Sequence, residues 1–382
     1  MISKDKHQKH VALAKPTHGD FGRNELAILG TSCGTIQGLV DRLSERLNPS
    51  YKLAYVDKEH GDGESEELKM VALLEKDQFS RLDTHRQLSP FDKRRLFNSE
   101  DLVLINGNHY TGKHQMVVID PVKNLEKKLD RLTDVQLILL KGPDVAIPDF
   151  LQRHLPNWQQ LPVFNLSDTG RIAGWVQNWL EQRLAPIKGL VLAGGESKRM
   201  QKDKAELVYH KKSQREHVLS LIHPMCSTAY LSCNSMQAET MRDRTDIIED
   251  VFLKLGPMGG ILSAFRSDPN AAWLTVACDL PYLSEDTLQY LIAHRNPSKV
   301  ATAFLDSKGI FPEPLVTLWE PRAYPVLLEY LSQGYSCPRK VLINSDVELL
   351  TAPSKKEFYN ANLPEEYEKV AKELSSDRGK IA

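Results

Sequence analysis

Short apolar runs alternate with amphipathic stretches along most of the chain. Glu25-Leu-Ala-Ile-Leu-Gly30 reads as a buried strand that enters a glycine turn and then a helical pattern. Ile187-Lys-Gly-Leu-Val-Leu-Ala193 opens the same succession a second time. Between them, IAGWVQNWLEQRL (residues 172–184) carries apolar positions at helical spacing. Pro186 stops that helix, because proline lacks the N–H a helix interior needs and crowds the preceding turn. The pattern therefore divides near Ala185-Pro186. Each half alternates short strands with helical segments, which predicts an α/β protein of two domains, each a mainly parallel sheet with helices on both faces. The first 20 residues, rich in Lys and His, predict a mobile arm over 1–23. The first domain is expected over 24–185 and the second over 186–382.

Composition narrows the class. The chain has 382 residues, 41% hydrophobic and 26% charged, the profile of a globular protein with room for two cores. No apolar run approaches the roughly 20 residues that span a bilayer, so no membrane partner is expected. The charged amino terminus, MISKDKHQKH, lacks a secretory core, and the expected location is cytoplasmic. Lys and Arg total 49 against 50 acidic residues, a net charge of −1. Without a basic excess, a nucleic-acid partner is not expected. Cys33, Cys226, Cys233, Cys278 and Cys337 are odd in number and never spaced C-x-x-C, which argues against a disulfide framework or a structural zinc site.

The chemistry concentrates in the second half. In LAGGESKRMQKDKAEL (192–207), a buried strand runs into Gly194 and Gly195, then into a loop carrying Lys198, Arg199, Lys202 and Lys204. Glycines let backbone N–H groups approach an anion without a Cβ in the way, and the basic side chains can neutralise phosphate oxygens. Alone, such a loop is also what a tight turn with a solvated basic face looks like. Residues 274–283, LTVACDLPYL, form an apolar strand that ends in Asp279. In open α/β sheets ligands sit beyond the carboxyl ends of strands, and a carboxylate there, with no Cys or His cluster nearby, suits Mg²⁺. The competing reading is a turn or helix-cap aspartate. Cys278 points away from Asp279 if the strand is regular and belongs to packing.

These motifs, with others in order, resemble the molybdenum cofactor guanylyltransferase family (MobA-type) over nearly all of residues 187–372. The match runs through Leu192 to Met200 with Asp203-Lys204, Leu231-Ser-Cys-Asn234, Ile247-Ile-Glu-Asp250 and Gly256-Pro-Met-Gly-Gly260. It continues through Cys278-Asp279-Leu-Pro281, Glu313-Pro-Leu315 and Asn360-Ala-Asn-Leu-Pro-Glu365. The resemblance implies a Rossmann-like nucleotidyltransferase fold, and transfer of GMP from GTP to the terminal phosphate of molybdopterin. On that basis Leu192, Ala193 and Gly194 contact the nucleotide through backbone groups, with Gly195 in the same loop. Lys204 holds the triphosphate, Asp250 helps recognise the nucleotide, Asn234 lies in the nucleotide-contact strand and Asp279 binds Mg²⁺. Arg199 adds a candidate for triphosphate neutralisation. Ser232 stands where some members have asparagine, which puts one base contact in question. Ser336-Cys-Pro-Arg-Lys340 reads as a basic segment ahead of an apolar strand at Val341-Leu-Ile343. Arg339 and Lys340 are there either for the pterin phosphate or as solvent-facing charges.

The first domain resembles the companion MobB-type adaptor, a P-loop protein, over roughly residues 24–180, through Asp101-Leu-Val-Leu-Ile-Asn-Gly107 and Leu161-Pro-Val-Phe-Asn-Leu166. Its loop departs from G-x-x-x-x-G-K-[ST]. With Gly34 as the second glycine, Thr35 and Ile36 occupy the positions of the phosphate lysine and the metal-binding hydroxyl, and Asn106 replaces an acidic residue. A P-loop fold kept for binding or docking is the expectation, with a purely structural domain as the alternative. His60, His109 and His114 are expected to be solvated loop residues. Two rival functions remain open for the chain. One is another nucleotidyltransferase, for CMP on the same cofactor or for a sugar phosphate. The other is a non-catalytic protein that holds the finished cofactor and passes it to apo-molybdoenzymes.

Overall fold

In the computed structural model the described residues are 12–58, 71–194, 207–210, 212–361 and 364–378, the last segment with side chains over 365–374. The chain forms two compact units, Thr17–Arg183 and Leu184–Ala382, the second joined by the segment before Thr17. Of the predicted arm, residues 1–11 lie outside the described residues. Phe21 is buried with Ala27, Val103 and Ile105, and the Glu25 carboxylate accepts from the N–H groups of Phe21 and Gly22.

The first unit contains β1 (Glu25–Leu29), α1 (Cys33–Leu47), β2 (Leu53–Val56), a hairpin of β3 (Ala72–Glu75) and β4 (Ser80–Asp83), and α2 (Pro90–Leu96). It continues with β5 (Leu102–Asn106), β6 (His114–Ile119), β7 (Val135–Leu140), α3 (Asp149–His154), β8 (Val163–Asn165) and α4 (Thr169–Glu181). Six strands form one sheet in the order β2-β5-β1-β6-β7-β8, and every pairing is parallel. Its central strands β1, β5 and β6 are buried along their whole length, which is why they read as near-continuous apolar runs rather than alternating ones. Helix α1 starts where the Ser32 side chain accepts from Thr35 N, and buries Ile36, Leu39, Val40, Leu43 and Leu47, one helical stripe laid on the sheet. The predicted helix over 172–184 is α4. It begins earlier because the Asp168 side chain caps it at Arg171 N.

The second unit contains β9 (Ile187–Leu192), α5 (Gln214–Ile222), β10 (Thr228–Cys233), α6 (Ser235–Thr240), β11 (Ile247–Glu249), α7 (Pro257–Ser267) and β12 (Ala272–Ala277). After these come α8 (Glu285–Ala293), β13 (Ala301–Leu305), β14 (Pro312–Trp319), α9 (Ala323–Ser332), α10 (Pro338–Ile343), β15 (Val347–Leu350) and α11 (Pro364–Arg378). The sheet order is β11-β10-β9-β12-β14-β13-β15. Only β14 runs antiparallel to its neighbours. Successive side chains on a strand face opposite ways, so Leu190 and Val191, Trp273 and Leu274, and Leu318 and Trp319 each divide between two cores. Val191, Leu274 and Leu318 pack with Val218 and Ile222 of α5 and Leu288 and Leu291 of α8. Leu190, Trp273 and Trp319 pack with Ile261, Leu262 and Phe265 of α7, Leu327 of α9 and Val341 of α10. Helices therefore cover both faces, as the pattern predicts.

Two expectations are corrected. Val341-Leu-Ile343 is helix, not strand: Pro338 sits in the first turn of α10, where its missing N–H costs nothing, and Val341 and Leu342 face the core. The strand of this region comes later, at β15. His109 and His114 are not solvated. His114 is buried with its Nδ1 2.5 Å from Asp134, and His109 Nε2 lies 3.2 Å from Cys33 Sγ. His60 lies outside the described residues. None of the five cysteines is in a disulfide, and Cys233 and Cys278 are buried.

Candidate active site

Strand register places the predicted residues side by side. Strand β9 is central, with Leu192 opposite Ser232 of β10 on one side and Ala277 of β12 on the other. Gly194, Asn234 and Asp279 each lie two residues beyond that row. All three therefore stand at the carboxyl edge of the sheet, where the strand order reverses around β9. This is the position where an open α/β sheet binds its ligand.

On the β10 side, Gly194, Ser232, Asp250 and Gly260 converge. Ser232 Oγ donates to Asp250 Oδ1 at 2.7 Å, and Asp250 N is held by the Cys233 carbonyl at 2.8 Å. A Cβ on Gly194 would stand 2.9 Å from Asp250 Oδ2, and one on Gly260 2.6 Å from Ser232 Oγ. A larger residue at either place would have to displace these side chains, so glycine is favoured by close approach. Burial pushes the Asp250 carboxyl up to about 6, with the Ser232 hydrogen bond pulling it down and the Glu249 charge pushing it up. Burial thus disfavours the charged form of Asp250, against the hydrogen bond that Ser232 gives it.

Leu192 and Ala193 already make protein contacts through their backbone. The Leu192 carbonyl accepts from Cys278 N at 3.4 Å, and Ala193 N donates to the Ser232 carbonyl at 3.3 Å. The Ala193 carbonyl accepts from Gln237 Nε2 at 3.1 Å. Gln237 reaches it because Asn234 and Gln237 form a capping box at the start of α6. Asn234 is thus a helix cap whose side-chain oxygen accepts from Gln237 N. Gln237 went unnoticed in the sequence, although N-x-x-Q ahead of a helical run is its signal.

On the β12 side stands Asp279, with one carboxylate oxygen sealed from solvent. Its carbonyl accepts from Ala361 N at 3.3 Å, which brings Asn360 and Ala361 to the site. Glu313 of β14 is 9% exposed. Burial raises its pKa, and the charges of Asp279 and Asp306 raise it further, against the pull of Arg339. Arg339 Nη2 pairs with Glu313 Oε2 at 3.3 Å, so this guanidinium is tied into the acidic side of the site. Lys340 instead lies over the Tyr335 ring, 5.5 Å from its centroid. Cys278 is buried in the core beneath β12. Gly195, Arg199 and Lys204 lie outside the described residues.

The equivalent edge of the first unit is built differently. Ile36, at the position of a P-loop hydroxyl, is wholly buried, and Thr35 N donates to Ser32 Oγ. Asp120, at the end of β6, is buried and accepts from Thr31 Oγ1 at 2.6 Å and Lys141 Nζ at 2.7 Å. Asn106 donates to Asp57 at 3.0 Å. Among the described residues no group of three or more His, Cys, Asp or Glu side chains is arranged to hold a metal ion. None of the described helices is long and apolar enough to cross a membrane.

Comparison with known proteins agrees with the second unit's geometry. The profile of the MobA-like NTP transferase domain matches residues 189–348. A probable molybdenum cofactor guanylyltransferase of Carboxydothermus hydrogenoformans is 30% identical over 193 residues, 48% of this chain and 95% of that protein. The chain belongs to the molybdenum cofactor guanylyltransferase family. It is thereby a nucleotidyltransferase, and Asp279, Asp250 and Gly194 lie just past the carboxyl ends of β12, β11 and β9. A second guanylyltransferase, of Pseudomonas putida, is 27% identical over 185 residues and is covered over 96% of its length. The molybdenum cofactor biosynthesis bifunctional protein of Synechocystis sp. is 33% identical over 186 residues, 48% of this chain. The chain spans about half of that relative, 54% of its length. Among solved structures, molybdopterin-guanine dinucleotide biosynthesis protein A of Archaeoglobus fulgidus aligns with a TM-score of 0.41 at 23% identity, over 50% of this chain and 99% of that one.

Proposed function

We propose that the second unit transfers GMP from GTP to the terminal phosphate of molybdopterin, with Mg²⁺ and with release of pyrophosphate. The observation that carries this reading is the row of strand ends. Gly194, Ser232 and Asp250 stand on one side of β9 and Asp279 on the other, in a chain of the guanylyltransferase family. The first group suits the nucleotide, with close-approach glycines and a titratable carboxyl to read hydrogen-bonding groups. Asp279, with Glu313 near enough for its charge to be felt, offers the hard oxygen donors that Mg²⁺ takes. When bound, the metal supplies positive charge against phosphate oxygens.

The acceptor phosphate oxygen forms a bond to the α-phosphorus of GTP as the bond to pyrophosphate breaks. Both reactants are anionic, so orientation and charge neutralisation carry the rate, and the mechanism calls for no protein nucleophile. Lys204 and Arg199 are the side chains the sequence assigns to the triphosphate. Arg339 is the described cation on the acidic side of the site, which favours a phosphate-orienting role over a purely solvent-facing one. The first unit we read as a MobB-like adaptor fold kept for binding or docking. Its support is the parallel sheet, and a loop whose phosphate-lysine and hydroxyl positions serve a helix cap and the core.

Asp279→Ala and Lys204→Ala test the assignment. Each should lower GMP transfer by at least 10²–10³-fold, with the circular dichroism spectrum unchanged. Turnover near wild type in either variant, with Mg²⁺ and GTP saturating, overturns the site.

A further inference from the structure

The loop that carries Asp279 is gripped from outside the motifs that define the site. Gln214, the first residue of α5, is wholly buried. Its Nε2 donates to the Leu280 carbonyl at 3.2 Å, and its backbone N–H donates to the Leu207 carbonyl at 2.7 Å. Its side-chain oxygen is buried, with no hydrogen-bond partner among the described residues. A buried amide costs free energy unless its hydrogen bonds offset the loss of water, so apolar packing does not explain this residue. His210 acts on the next residue of the same loop: its Nε2 donates to the Pro281 carbonyl at 2.9 Å. The His210 ring is itself held in place by stacking on His217 of α5, with centroids 3.7 Å apart and 17° between planes.

His210 lies in the turn between Val208 and Ser213, which form an antiparallel bridge, and Gln214 follows that turn directly. The turn is anchored by α5, whose Val218, Leu219 and Ile222 sit in the core. Two successive carbonyls just after Asp279 are therefore fixed to a rigid helix start. The same turn follows directly, in sequence, the segment bearing Lys204.

We propose that Gln214 and His210 are positioning residues for Asp279: by holding the Leu280 and Pro281 carbonyls they fix the carboxylate in the orientation that binds the divalent cation. This rests on the reading of Asp279 as the metal-binding residue. Groups that orient a metal ligand, without touching the metal, commonly change affinity by about 10–100-fold when removed. The expected loss here is at the lower end, because the grip acts through the backbone.

The test uses full-length protein and Mn²⁺, titrated by the electron paramagnetic resonance signal of the free ion, with GTP present and no pterin. Wild type should bind Mn²⁺, and Asp279→Ala should not. Gln214→Leu and His210→Phe should each bind Mn²⁺ about 10-fold more weakly, while affinity for GTP in EDTA stays within about twofold of wild type. His210→Gln, which keeps an N–H donor, should recover most of the loss. A role in folding alone would not separate metal from nucleotide affinity, nor be rescued by the donor. Wild-type Mn²⁺ affinity in folded His210→Phe and Gln214→Leu overturns the positioning role. Wild-type Mn²⁺ affinity in Asp279→Ala overturns the metal site itself and the inference with it. Should Gln214→Leu fail to fold, the two His210 variants decide.

Discussion

At the scale of single residues, Asp250 makes the sharpest prediction. Its native pKa lies above the ordinary carboxylate value, about 6, through burial first. The folded state therefore binds a proton that the unfolded chain releases at lower pH. Stability from this group is present below the ordinary aspartate range and is lost as pH rises towards 6. Asp250→Asn should remove that slope, leaving the second unit more stable than wild type above pH 6 by on the order of 1–2 kcal/mol, as read in urea melts at pH 5 and 7.5. An unchanged pH slope would show that Asp250 ionises normally in the folded protein. The same substitution tests nucleotide recognition, since Ser232 would lose a charged acceptor. Residue identities at the site were legible as motifs because the glycines and carboxylates have few substitutes. Gly194 and Gly260 are favoured where a Cβ would stand 2.9 and 2.6 Å from neighbouring side chains. Gln214 and His210 were not legible, since their work is done on backbone carbonyls about seventy residues away, and no local pattern encodes that.

At the scale of elements, strands were the readable part. The runs at 25–30, 187–193 and 274–279 are mostly apolar because both faces at the centre of each sheet are covered. The segment at 341–343 was misread because three apolar residues fit a strand and a helix equally; the arbiter was Pro338, which opens a helix well. Element ends are also where tertiary ion pairs act. Arg295, after α8, pairs with Glu320, at the end of β14, through Nε to Oε1 at 2.7 Å and Nη2 to Oε2 at 2.8 Å. Glu320 is only 2% exposed. Arg295→Met should cost about 3–5 kcal/mol, because it strands a buried charge, and the double variant with Glu320→Leu should regain most of it. Denaturant midpoints measure this; a single variant as stable as wild type would show the pair to be dispensable.

At the scale of the whole chain, each unit opens on a buried strand, β1 or β9, that leads to a glycine, and the two differ in what stands beyond that strand. In the first, the turn serves a helix cap, and Asp120 is already neutralised by Lys141 and Thr31. In the second, the end of β9 borders a row of glycine, serine and carboxylate residues across neighbouring strand ends. In sequence, a proline follows the last helix of the first unit, at residue 186. The contacts divide the chain between Arg183 and Leu184. What the sequence pattern left open is base choice, which depends on few contacts around Ser232 and Asp250. The direct test is to supply full-length protein with molybdopterin, Mg²⁺ and equal GTP and CTP, and to identify the dinucleotide by mass spectrometry. Our account predicts the guanine dinucleotide together with pyrophosphate. A cytosine dinucleotide, or molybdopterin bound tightly with no dinucleotide formed, would contradict it.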